Sequence, residues 1–372
     1  MKKAIVFPAK YVQGEGVLAD IGDIIQSFGL GKPMLIWGNH ARAVTNEIVL
    51  SALDTRSLDH SEWVFVGECT ENESRNIEDS VIENRCDIII GLGGGKCLDI
   101  SKAVAAHLGL RIVVCPTICA SDAPTSACTV WYDENGACTG FDLWPSNPDV
   151  ILVDTGITIH SPKRMLMAGI GDAMATYFEA EASNRSHAIT CSGGAPTMSV
   201  MALAELCYKT LIKDTDAALS AVEAGVVTPA YERLIEACIL LSGIGWESGG
   251  LATAHTLGNN LSTFSETHSA MHGEKVTFGL VTQLMLDQDM PMDEVNQVMD
   301  FMVEHRLPVT LEALKMGDVT DERLMDFCEA NTQPGSFTNN HSFPVGAKDL
   351  FNAMKAADVY GKKRIAAHKK VS

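Results

Sequence analysis

Three polar residues stand inside otherwise apolar, helix-patterned segments of this chain. Asp172 lies in Gly169-Ile170-Gly171-Asp172-Ala173-Met174-Ala175-Thr176. His255 lies in Leu251-Ala252-Thr253-Ala254-His255-Thr256-Leu257-Gly258. His272 follows His268 in Thr267-His268-Ser269-Ala270-Met271-His272-Gly273-Glu274. One carboxylate and two imidazoles suit Zn²⁺ and leave a coordination position for water or substrate. The same donors could hold Fe²⁺. A metal held this way acts as a Lewis acid on a substrate oxygen. His268 and His272 are four residues apart, so on a helix they would share one face. The same residues also have a plainer use. A histidine among alanines can be a hydrogen-bonded core residue, and Asp172, following Gly171, can cap a helix.

A second cluster suits an anion. Ile88 to Ile90 reads as a buried strand that runs into Gly93-Gly94-Gly95, and a helix-period segment with Leu98, Ala103 and Ala106 follows. Strand, glycine turn and helix aim backbone N–H groups and a positive helix end at a phosphate. Gly91-Leu92-Gly93-Gly94-Gly95 opens like the dinucleotide fingerprint, but Lys96 stands where the last glycine would be. No G-x-x-x-x-G-K-[ST] occurs either. As a bare pattern, the triple glycine is equally a tight turn. The hydroxyl-rich stretch Pro116-Thr117 … Ser121-Asp122-Ala123-Pro124-Thr125-Ser126-Ala127 follows the next strand, where ligands bind in open α/β sheets. Asp122 there suits a substrate acceptor or an Asx turn.

The elements that must carry these residues fall into two kinds. Up to about residue 161, strand-like and helix-like segments alternate: Ala4–Phe7, Pro33–Trp37, Trp63–Val66, the glycine-turn strand, Arg111–Cys115 and Val150–Val153 are strands, with helical patterns between the early ones. That alternation predicts a mostly parallel sheet flanked by helices. Cys128–Tyr132 and Cys138–Leu143 read as a hairpin turning at Asn135-Gly136. Beyond Ser161-Pro162, apolar residues recur at helical spacing in segments from Met165–Ala182 to Met292–His305. The expected architecture is an α/β Rossmann-like domain over residues 1–161 and an all-α domain over 162–372.

Composition narrows the class of partner. The chain has 372 residues, 46% of them hydrophobic, and a formal net charge of −19. Nucleic-acid binding normally needs a basic face, so no such partner is expected. The 11 cysteines are odd in number and scattered through apolar segments, with no C-x-x-C. This is the usage of a reduced, cytoplasmic protein. No stretch approaches ~20 uninterrupted apolar residues, so no membrane span is expected.

Taken together, the motifs resemble the iron-containing (group III) alcohol dehydrogenase superfamily, most closely its glycerol dehydrogenases. The resemblance rests on Lys10-Tyr11-Val12-Gln13-Gly14, Gly93-Gly94-Gly95-Lys96 with Asp99 and Lys102, and Pro116-Thr117 … Ser121-Asp122-Ala123-Pro124. It continues through Asn147-Pro148-Asp149, Gly169-Ile170-Gly171-Asp172-Ala173, Ser248-Gly249-Gly250-Leu251-Ala252 … His255 and His268 … His272-Gly273-Glu274-Lys275. It implies a dehydroquinate synthase-like architecture with the active site in the cleft between two domains, and oxidation of glycerol or a related small polyol or diol to its ketone. Asp172, His255 and His272 fall on the family's metal ligands, usually zinc in this branch, with iron in others. Gly94, Gly95, Lys96 and Asp99 fall on pyrophosphate and ribose contacts, and Thr117, Ser126, Cys128 and Tyr132 on positions lining the nicotinamide. Asp122 falls on a substrate-contacting aspartate and His268 on a histidine near the substrate. Relatives assemble as homo-oligomers, from dimers to octamers. One departure concerns the cofactor: the family usually has Gly-Asp after the second strand, and this chain has Gly38-Asn39. NAD is favoured, yet neutral Asn39 would not repel the 2′-phosphate of NADP. Two other readings share the architecture: a dehydroquinate synthase-type cyclase using NAD and zinc, and a non-catalytic metal- or nucleotide-binding protein.

Overall fold

A computed structural model of the chain describes all residues except Asn135 and Ser372. The described residues form two compact units, and neither is a single stretch of chain. One comprises Val6–Leu166 and Lys213–Gly243; the other comprises Met1–Ile5, Met167–Ile212 and Ile244–Ser372. The sequence pattern places one division after residue 161 and puts residues 213–243 on the helical side. In the structure those residues pack with the α/β unit.

The first unit is built on eight strands: β1 (Tyr11–Gly14), β2 (Pro33–Gly38), β3 (Ser61–Phe65), β4 (Ile88–Gly93), β5 (Arg111–Pro116), β6 (Cys128–Tyr132), β7 (Cys138–Leu143) and β8 (Val150–Asp154). Six of them form one sheet in the order β1-β8-β5-β4-β2-β3, and every pairing is parallel. All residues of β4 and β8 are buried, which is why Ile88-Ile89-Ile90 and Val150-Ile151-Leu152-Val153 read as unbroken apolar runs; both faces of an inner parallel strand are covered. The chain leaves β2 outward to β3 and returns to β4, so the strand order reverses between β2 and β4. Ligands bind at the carboxyl ends of strands at such a switch point. Helices Asn39–Thr55 and Gly95–Leu108 start from those two ends.

Strands β6 and β7 pair as the expected antiparallel hairpin, with a register shift at Trp131/Tyr132. The turn residue Asn135 lies outside the described residues. The strand expected at Ala4–Phe7 does not form. Lys3 makes a single bridge to Ala195, and Pro8 has no N–H with which to extend a ladder.

The second unit is helical, as expected. Its main helices are Lys163–Ser186 from Met167 on, Met198–Ala224 as far as Ile212, Thr253–Asn260, His272–Leu286, Met292–Glu304, Asp321–Asn331 and Ala347–Val371. The last two lie beyond the segments singled out by periodicity. A π-helical turn at Gly245–Gly249 precedes Thr253–Asn260. Among the described residues, no single helix is long and apolar enough to cross a membrane.

Candidate metal centre and dinucleotide turn

Three helices of the second unit each contribute one polar side chain to a common point. Asp172 stands in Lys163–Ser186, His255 is the third residue of Thr253–Asn260, and His272 is the first residue of His272–Leu286. One ligand atom from each lies within 4.8 Å of the other two. Asp172 Oδ1 is 3.3 Å from Nε2 of His255 and 3.3 Å from Nε2 of His272. Asp172 is buried, yet neither of its oxygens has a hydrogen-bond partner. The two imidazoles compensate the buried charge through Oδ1, and a cation at the point where they face the carboxylate would give its oxygens a direct partner. The side chain of His272 remains 38% exposed while Asp172 is at 1%, so the cluster is closed on the aspartate side and open on the His272 side.

Close helix packing makes this convergence achievable. A Cβ on Gly273 would sit 1.8 Å from the carbonyl oxygen of Ala168, so only glycine lets the start of His272–Leu286 rest on the backbone of Lys163–Ser186. That contact brings His272 to Asp172. The backbone N–H of Met271 donates to Glu274 Oε2 at 2.8 Å and fixes the same helix start.

The electrostatics follow from burial and pairing. Burial alone would raise the Asp172 carboxyl, but the imidazoles of His272 and His255 hold it well below the usual carboxylate range. Burial alone would lower His255, but the Glu179 and Asp172 carboxylates hold that imidazole well above its ordinary value. Glu179 was not among the residues singled out from sequence. It is buried, and its Oε2 pairs with Nδ1 of His255. Its signal was its spacing: Asp172 and Glu179 are seven apart, two turns along one face of an apolar helix.

His268 is not part of this cluster. It ends a short 3-10 turn, Ser265–Thr267, and is exposed. The helix shared by His268 and His272 does not form, because the helix begins at His272 itself.

In the α/β unit the glycine turn is as the strand–turn–helix pattern predicts. Gly94 is the N-cap of Gly95–Leu108, with extended backbone (φ −91, ψ 177) and no side-chain cap. The first-turn N–H groups are thus free of a capping side chain, the arrangement that receives an anion. A Cβ on Gly94 would meet Ile118 at 2.9 Å, so close approach of the following loop explains this glycine better than an unusual φ.

The other predicted positions surround that turn. Asn39 is exposed at the end of β2. Lys96 pairs with Glu68 and lies 4.8 Å from the ring centre of Tyr132. Thr117 N donates to Gly93 O at 3.0 Å. Asp99 is buried and engaged internally: Oδ1 pairs with Lys102 at 2.8 Å, and Oδ2 accepts from Val130 N at 3.1 Å. Lys102 Nζ also donates to the carbonyls of Ala123 (2.8 Å) and Ser126 (3.2 Å). Asp99 and Lys102 therefore tie the glycine-turn helix to the hydroxyl-rich loop and to β6, which begins at buried Cys128. Asp122 is buried in the same loop, and its Oδ2 accepts from Ser242 Oγ at 2.6 Å. Ser242, which fixes the loop's carboxylate, was not anticipated from sequence.

Comparison with known proteins agrees with these motifs. Residues 8–155 match the family described as iron-containing alcohol dehydrogenase. The glycerol dehydrogenase of Thermotoga maritima is 40% identical over 359 residues, 96% of this chain and 98% of that protein. The glycolaldehyde reductase of Halobacterium salinarum is 38% identical, covering 96% of this chain and 97% of that protein. The crystal structure of glycerol dehydrogenase from Schizosaccharomyces pombe superposes with a TM-score of 0.93 at 32% identity, over 99% of this chain and 93% of that one. The chain belongs to the iron-containing alcohol dehydrogenase family, on its glycerol dehydrogenase branch.

Proposed function

We propose that this protein is a metal-dependent, nicotinamide-linked dehydrogenase that interconverts glycerol, or a related small polyol or diol, and the corresponding ketone. The observation that carries the reading is Asp172: a buried carboxylate with no hydrogen-bond partner on either oxygen and two imidazole nitrogens each 3.3 Å from its Oδ1. Asp172, His255 and His272 would hold zinc or iron, with zinc the better match to one carboxylate and two imidazoles. When bound, the metal supplies Lewis acidity toward an alcohol oxygen and the nicotinamide accepts hydride. The open His272 side leaves room for a small polar substrate. In the α/β unit, residues Gly94, Gly95 and Lys96 bind the pyrophosphate at the helix N-terminus, and Asp99 with Lys102 holds the loop of Thr117, Asp122 and Ser126 in place. Cys128 and Tyr132 line the nicotinamide side of that loop. Asn39 stands where a carboxylate would select against a 2′-phosphate, so NAD is the proposed cofactor and NADP use is the property to test. Asp122 and His268 are the proposed polar contacts for substrate hydroxyls and proton exchange. The α/β unit, Val6–Leu166 with Lys213–Gly243, is then the dinucleotide-binding part and the helical unit the metal- and substrate-binding part, of a cytoplasmic homo-oligomer.

The glycolaldehyde reductase relative favours a second substrate reading within the same chemistry, reduction of a small hydroxyaldehyde. The near-ultraviolet absorbance of reduced nicotinamide separates these outcomes. Purified protein is assayed with NAD or NADP against glycerol, other vicinal diols and, in reverse, dihydroxyacetone and glycolaldehyde, with and without added zinc. Asp172→Asn is expected to abolish turnover and keep the native circular dichroism spectrum. Near-normal turnover by that variant in chelator-treated buffer would sink the metal assignment.

A further inference from the structure

Glu179 makes three contacts at the start of one helix, two of them to the same histidine. Its Oε2 pairs with Nδ1 of His255. Its Oε1 accepts from the backbone N–H of His255 at 2.9 Å and of Ala252 at 2.7 Å. The helix Thr253–Asn260 has Ala252 at its N-cap, with no side-chain oxygen to receive the first-turn donors. A carboxylate from Lys163–Ser186 therefore does the work that serine or aspartate usually does at that position, and Gln283 Oε1 takes the Ala254 N–H at 3.0 Å. Glu179 thus takes part both in closing the helix end and in orienting the ring of its histidine.

We propose that Glu179 is the positioning residue of the metal centre: it holds the proton of His255 on Nδ1 and so keeps Nε2 free to bind the ion. This rests on the metal-binding reading above. A carboxylate has no proton to offer, so the nitrogen it touches must be the donor. With the ion bound, that fixes the tautomer and turns the lone pair of Nε2 to the side of Asp172, as outer partners of metal-bound histidines do. Asp172 and Glu179 then act from one helix face, the first on the ion and the second on its ligand.

Glu179→Gln is the diagnostic variant. The two backbone donors require the amide oxygen on their side, which turns the NH₂ group toward Nδ1. Nδ1 must then accept, and the proton moves to Nε2, the atom that should bind metal. Volume and both backbone hydrogen bonds are retained. Zinc affinity, measured by competition with a chromogenic chelator, is expected to fall roughly ten- to hundred-fold, and the visible spectrum of the Co²⁺-loaded protein should change. The far-ultraviolet circular dichroism of the zinc-free variant should stay native. A zinc affinity within about two-fold of that of the unchanged chain would overturn the proposal. If the unchanged chain itself binds no zinc or cobalt, the metal reading fails instead, and the two failures are thereby told apart. A second measurement needs no variant. In the zinc-loaded unchanged chain, nitrogen–proton correlation spectra should contain a His255 Nδ1 proton that exchanges slowly with water; free exchange of that proton would also overturn the assignment.

Discussion

His341 and His255 lie in the same helical unit, and burial lowers both imidazoles, yet their net shifts are opposite. His255 faces two carboxylates and is held well above the ordinary imidazole value. His341 shares a 2.8 Å hydrogen bond with the Thr253 hydroxyl through Nε2, and its Nδ1 has no hydrogen-bond partner. Burial, only partly offset by Asp287 and Glu179, pushes it down to about 4. The native state therefore binds fewer protons than the unfolded chain between that value and the ordinary one of about 6.5. Stability is fully present above pH ~6.5 and is lost as pH falls toward ~4, with no further loss from this group below it. The shift corresponds to at most roughly 3 kcal/mol. His341→Gln, which keeps a polar atom near the Nε2 position, should flatten this part of the acid limb. Thermal midpoints of both proteins across that pH window test it, and parallel curves would contradict the assignment.

At the scale of elements, the chemistry depends on how closely helices approach, and this is the level least legible in the sequence. Apolar periodicity located Lys163–Ser186 and Thr253–Asn260 to within a few residues, and the unbroken Ile and Val runs identified the inner strands, because those patterns record burial directly. Periodicity does not record where a first turn begins. His268 and His272 have the spacing of one helix face, but the helix starts at His272, where Met271 N bonds Glu274. Glu179 is hard to read for a related reason: its spacing of seven from Asp172 marks a shared face, but its partners come from a helix remote in sequence. The compact segment 213–243 was likewise invisible, since helix pattern carries no information about which core a helix joins. Gly273 tests the packing argument. Its Cβ would lie 1.8 Å from Ala168 O and 3.1 Å from Asp172 N, so Gly273→Ala must move one helix off the other. A loss of about 1–3 kcal/mol or more is expected from overpacking, measured by denaturant unfolding of the zinc-free protein. Zinc affinity should fall with it, because His272 is the adjacent residue. A variant of native stability and native affinity would show that the helix contact does not set the ligand geometry.

For the molecule as a whole, the dominant electrostatic fact is the excess of acidic groups, 47 Asp and Glu against 28 Lys and Arg. Two effects of salt then compete. Screening weakens favourable ion pairs, and it also weakens repulsion among the surplus negative charges. The ion pairs on the surface are of the weak kind. Lys163–Glu223 has side chains 49% and 68% exposed, Arg75–Glu71 67% and 68%, and Lys355–Asp321 45% and 67%; exposed pairs contribute little individually. Repulsion in a compact state with a net charge of −19 acts over the whole surface, and its range shrinks from about 30 Å at 0.01 M salt to about 8 Å at 0.15 M. Repulsion should therefore dominate. The thermal midpoint of chelator-treated protein at neutral pH is expected to rise between those two salt concentrations. The rise should be similar in sodium chloride and sodium bromide, which screen alike and differ in their effect on apolar hydration. A fall in midpoint in both salts would mean that the ion pairs, Arg185–Asp287 and Lys102–Asp99 among them, outweigh the surplus charge, and that the fold depends on its paired charges more than their exposure implies.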